Sequence, residues 1–216
     1  MEGILKLKRR HFNVLALAGL AGPTFAQAQA PVILVVGDSL SAEYGLKRGT
    51  GWVALLDQRL RKEKVRARIV NASISGDTTS GGRSRIGALL KQHKPAVVVI
   101  ELGGNDALRG LPNKMTRENL ATMARRSSEA GAKVLLLGME MPPNYGARYA
   151  QEFRELYTAV ARAEKTALVP FFLKNVADIK DPTAMFQSDR IHPNEGAQAL
   201  MLDNVWPELR KLLPRG

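Results

Sequence analysis

Val32-Ile33-Leu34-Val35-Val36-Gly37-Asp38-Ser39-Leu40-Ser41 is an aliphatic run that stops abruptly at Gly-Asp-Ser. A strand with one wet face would alternate apolar and polar residues, so five branched aliphatics in succession predict a strand buried on both faces. Such a strand belongs to a parallel sheet covered by helices, whose carboxyl edge is where open α/β folds place their ligand crevice. Ser39 falls at that edge. Gly37 permits a sharp turn and Asp38 suits hydrogen bonding to nearby backbone, which would hold the serine hydroxyl at a fixed angle. Taken alone, Gly-Asp-Ser reads first as a strand-to-helix turn with an N-capping serine.

Working outward, the pattern alternates. Trp52, Val53, Leu55, Leu56 and Leu60 have helical spacing, and Arg66 to Val70 predicts a second strand. A loop rich in small and hydroxyl residues, Asn71 to Thr79, leads through Gly81-Gly82 into a helix carrying Ile86, Leu89 and Leu90. Ala96 to Leu102 predicts a second doubly buried strand that ends in Gly103-Gly104-Asn105-Asp106. Thr116 is the expected N-cap of a helix through Leu120, Met123 and Ala124, with Gly131 as its stop. Strands follow at Val134–Leu137 and Ala167–Phe171, separated by a helix with Phe153, Leu156, Tyr157 and Val160 on one face. A long loop with Asp189 and His192 precedes a closing helix. Repeated β-α units predict a three-layer α/β/α sandwich on a parallel five-stranded sheet.

The 216 residues hold 45% hydrophobic side chains, enough for a substantial core, and no cysteine, which excludes disulfides, thiol catalysis and cysteine-ligated metals. The formal charge is +12. Lys6, Lys8, Arg9 and Arg10 against Glu2 account for three of those charges, leaving +9 beyond them. That charge leaves contact with an anionic membrane surface open, but the basic residues are scattered and no nucleic-acid-binding motif appears. The basic start, the short apolar stretch Val14 to Gly22 and the small residues Ala26 to Ala30 predict an export signal over residues 1–28, cleaved after Ala28. Arg9-Arg10 followed by His11-Phe12 also fits a twin-arginine signal. The expected product is a periplasmic or secreted single domain over residues 31–216.

Ser39, Gly76, Asn105 and the Asp189/His192 pair are far apart in sequence, yet all fall at the carboxyl edge or in the last long loop. A serine hydroxyl is a weak nucleophile until a base takes its proton, and histidine is the usual base at neutral pH. Outside the leader there are two histidines. His93 sits among lysines at a helix end, which leaves His192, three residues after Asp189. That spacing lets the carboxylate orient the imidazole. A lone D-x-x-H also reads as a metal-ligand pair, but no histidine cluster or cysteine completes a zinc site. Gly76 lets backbone N–H approach a ligand, and Asn105 offers a neutral amide donor. With the Ser39 N–H they would make three donors for an oxyanion.

In order and spacing, Gly37-Asp38-Ser39-Leu40, Gly76, Gly103-Gly104-Asn105-Asp106 and Asp189-x-x-His192-Pro193 match the four blocks of the SGNH (GDSL) hydrolase superfamily, which the chain resembles over nearly everything after Pro31. Asn71 to Thr78, Glu101 to Asp106 and Pro143-Asn144-Tyr145-Gly146 make it similar to the exported bacterial thioesterase, lysophospholipase and arylesterase group. The resemblance implies Ser39 as nucleophile, His192 as base and then acid, Asp189 as its orienter, and Ser39, Gly76 and Asn105 as oxyanion donors. It also implies a flavodoxin-like sheet, no metal and no cofactor. Glu43 and Arg190 stand where glycine is common in that group, and both would add charge at the crevice rim.

Leu108, Leu111, Met141, Pro142 and Pro143, in the loops after the third and fourth strands, predict an apolar rim suited to an acyl chain. The expected substrates are acyl esters and thioesters, including lysophospholipids and aryl esters. Two rivals remain: a carbohydrate O-acetyl esterase on the same scaffold, and a non-catalytic lipid- or anion-binding protein.

Overall fold

The computed structural model describes residues 30–141 and 145–213. The predicted export signal therefore lies outside the described residues, as do Pro142 and Pro143. Five strands, β1 (Val32–Gly37), β2 (Arg68–Asn71), β3 (Val97–Glu101), β4 (Lys133–Leu137) and β5 (Ala167–Val169), form one parallel sheet in the order β2-β1-β3-β4-β5. That is the flavodoxin-like order, whose direction reverses between β1 and β3. Every residue of β1 and β3 is buried, as expected for central strands covered on both sides, whereas β2 at the edge exposes both its ends.

Helices α1 (Trp52–Lys62) and α6 (Gln198–Leu212) pack together on one face of the sheet, and α2 (Thr79–His93), α4 (Asn113–Glu129) and α5 (Ala147–Glu164) line the other. Trp52, Leu56, Met201 and Val205 fill the first layer; Ile86, Leu120, Phe153 and Tyr157 fill the second. Helix α2 approaches closely at Gly82, where a Cβ would lie 2.4 Å from Leu102 Cδ1 and 2.9 Å from Met123 Sδ.

Four of the departures from the sequence reading have a clear local reason. Helix α2 begins at Thr79, with Thr78 accepting from the Gly81 N–H, so Gly81 and Gly82 lie inside its first turn. Thr116 is not an N-cap. Pro112, with φ fixed at −60°, starts α4 four residues earlier, and the buried Thr116 hydroxyl donates to Asp106. Strand β5 ends at Val169 because Pro170 has no N–H to continue the ladder. A short helix α3 (Gly104–Leu108) occupies what reads as a glycine-rich loop. Gly131 does end α4, at φ 85°, with its N–H on Ser128 O and the next N–H on Ser127 O.

Candidate active site

Ser39 lies two residues beyond β1 in a turn of backbone hydrogen bonds from the Ser41 and Ala42 N–H groups to Asp38 O. The Asp38 carboxyl caps the same turn, accepting from the Leu40 N–H at 3.0 Å. Ser39 is 8% exposed, and its Oγ is 2.9 Å from His192 Nε2. On the far side of the ring, His192 Nδ1 is 2.6 Å from Asp189 Oδ2. A carboxylate only accepts, so Nδ1 carries the proton and Nε2 is left bare to accept from the Ser39 hydroxyl. Asp189 Oδ1 also accepts the Ile191 and His192 N–H groups, at 2.9 and 3.0 Å. Those backbone bonds, with the imidazole bond, hold the Asp189 carboxyl at about 2, below the ordinary carboxylate range. Residues 153 apart thus form one hydrogen-bonded relay.

The Ser39 and Gly76 N–H groups have no acceptor among the described residues. Gly76 has φ 78°, and its carbonyl accepts from Arg109 at 2.8 Å. Asn105 sits in the first turn of α3. Its amide nitrogen donates to Asp38 Oδ2 at 2.9 Å and to Asp77 O at 3.0 Å, so both hydrogens already have acceptors. Burial raises the Asp38 carboxyl to about 6, against the opposing bonds from Leu40 and Asn105.

A crevice of about 690 Å³ opens at Ser39 and His192. Leu108 and Met141 line it as expected, joined by Met139, Leu173, Ala177 and Phe186. Leu111 does not line it: its carbonyl accepts from the Tyr149 hydroxyl. Arg190 lies on the wall, but the Glu43 carboxylate turns into its own loop and accepts from the Gly49 and Gly51 N–H groups. Sequence reasoning missed Tyr44, whose ring packs 4.4 Å from the His192 ring. It also missed the far wall, because the loop after β5 has no periodicity to read.

A model of the GDSL-like lipase/acylhydrolase family matches residues 35–200. Esterase TesA of Pseudomonas aeruginosa is 56% identical over 187 residues, 87% of this chain and 92% of that protein. Thioesterase 1/protease 1/lysophospholipase L1 of Escherichia coli K12 is 41% identical over 190 residues, 88% of each chain. A solved structure of TesA, 56% identical, superposes with a TM-score of 0.81 over 84% of this chain and 99% of that one.

Proposed function

This chain belongs to the GDSL-like lipase/acylhydrolase family and is an ester-bond hydrolase, and from that premise we propose that it cleaves acyl esters and thioesters, including lysophospholipids and aryl esters, through a covalent acyl-enzyme on Ser39. His192 Nε2 takes the hydroxyl proton as Ser39 Oγ bonds to the acyl carbon. The carbonyl oxygen becomes an oxyanion facing the Ser39 and Gly76 N–H groups and the Asn105 amide. Collapse expels the alcohol or thiol, which leaves with the proton from His192. Water, deprotonated by His192, then attacks the acyl carbon, and Ser39 leaves with that proton. Asp189 holds the tautomer this cycle requires and stabilises the imidazolium.

The observation carrying this reading is the Ser39–His192–Asp189 relay at the mouth of an apolar crevice. Its volume falls within the range of sites that bury a whole small ligand and favours a medium or long acyl chain over acetyl. We further assign residues 1–28 to a cleaved export signal and the enzyme to the periplasm or the medium, where oxygen esters and lipids outweigh acyl-CoA as substrates.

A fluorophosphonate probe is expected to label Ser39, and S39A to lose both label and hydrolysis. Labelling of another residue would overturn the mechanism. Rates on p-nitrophenyl esters from acetate to palmitate should peak beyond acetate. A sharp optimum at acetate would favour the O-acetyl esterase reading.

A further inference from the structure

Beneath the nucleophile lies a buried acidic cluster that the mechanism above leaves unused. Parallel pairing sets Glu101, the last residue of β3, beside Gly37, the last of β1. A Cβ on Gly37 would lie 2.8 Å from Glu101 Oε2, so the glycine makes room for this carboxyl. Glu101 is 1% exposed, and no cation pairs with it among the described residues. Its Oε2 accepts from the Ser41 hydroxyl at 2.7 Å and the Asp38 N–H at 3.3 Å, while Trp52 Nε1 donates to the same Ser41 oxygen at 3.2 Å. The Asp38 carboxyl lies close enough for its charge to act on Glu101. Two carboxyls buried side by side repel each other's charge, which favours one shared proton between them.

The consequence reaches the reaction centre through Asn105. A fully charged Asp38 would grip the Asn105 amide and set a second negative charge behind the developing oxyanion. We propose that Glu101 is a positioning residue for ester hydrolysis: as a neutral carboxylic acid it donates to the Asp38 carboxylate, fixing the Ser39 turn and loosening the hold of Asp38 on the Asn105 amide so that the oxyanion can claim it. This rests on the acyl-enzyme reading above. Burial and the Asp38 charge both push the Glu101 carboxyl well above its ordinary range, in keeping with a proton retained at neutral pH.

Other charged groups facing the pair act elsewhere. Arg85 of α2 pairs with Asp77 and reaches Gly37 O at 3.4 Å; Asp106 of α3 accepts from Thr79 and Thr116. Tyr157 of α5 donates to Leu102 O, and burial holds its phenol well above the ordinary range. The His192 imidazole also faces Asp38. Loss of the shared proton then governs an alkaline limb.

The pH profile of kcat separates this role from a structural one. Wild-type turnover should fall at alkaline pH as the pair loses its proton. Glu101→Ala should lose on the order of 10² in kcat, as when an oxyanion donor is misdirected. Glu101→Gln, which donates and accepts without titrating, should recover most of that loss and lack the alkaline limb. A folded Glu101→Gln that keeps the wild-type limb, or is as inactive as Glu101→Ala, overturns the proposal. An infrared pH titration of the wild type is independent of both variant folding and hydrolysis: the carbonyl band of a buried protonated carboxylic acid should persist at neutral pH. Its absence overturns the proposal even if ester hydrolysis is intact. A protein with that band and no hydrolysis would instead refute the acyl-enzyme reading.

Discussion

Glu43 and Arg190 both have left-handed backbone, φ 59° and 57°. A side chain there brings Cβ against the following carbonyl, so glycine is the unstrained choice for reasons of backbone alone. The two differ in what offsets the strain. Glu43 Oε1 accepts from the Gly49 and Gly51 N–H groups at 3.0 and 2.9 Å, organising the loop beside the nucleophile. The Arg190 side chain has no polar partner among the described residues. Arg190→Gly is therefore expected to raise unfolding free energy by ~1 kcal/mol, and Glu43→Gly to lower it despite the same relief. Denaturant melts of the two variants check this; a stabilised Glu43→Gly would mean that the loop bonds contribute nothing.

At the scale of elements, the site depends on how closely the layers approach. Two glycines of α2 make the point in one helix. Around Gly87 nothing lies within 4 Å of a built Cβ, so Gly87→Ala gains helix propensity and should stabilise by up to ~1 kcal/mol. Gly82 has no such room against Leu102 and Met123, so Gly82→Ala should destabilise by ~1–3 kcal/mol through overpacking. Opposite shifts in thermal midpoint are the expected readout, and a stabilised Gly82→Ala would show that α2 has freedom to move outward.

The same contrast explains what was legible in the sequence. Strands β1 and β3 are readable because both faces are covered, which forces aliphatic runs, and the order of Ser39, Asn105 and His192 along the chain follows from the carboxyl edge they share. Helix α3 is too short for periodicity, and Gly103-Gly104 imitates a loop. Glu101 is legible only in part. The aliphatic run places it in a doubly buried strand, and only the register with Gly37 reveals what encloses its carboxyl.

For the whole molecule, buried carboxyls couple this site to stability. The folded protein keeps a proton on Asp38 up to about pH 6, which the unfolded chain releases near the ordinary value of 3.8. More protons are then bound in the folded state, so this group's contribution to stability falls as pH rises through that window, and Glu101 extends the fall upward. Asp189 acts with the opposite sign: its lowered value gives stability above the ordinary carboxylate range that is lost as pH falls toward 2. Titration of the many exposed groups is common to wild type and Glu101→Gln and cancels in their difference. That difference should move in favour of Glu101→Gln as pH rises, by at most ~1.4 kcal/mol per pH unit for a single proton. Urea melts of both proteins at successive pH values measure it directly. A pH-independent difference would mean that Glu101 binds no more protons in the folded chain than in the unfolded one, and that this sheet edge stores no charge imbalance beneath its nucleophile.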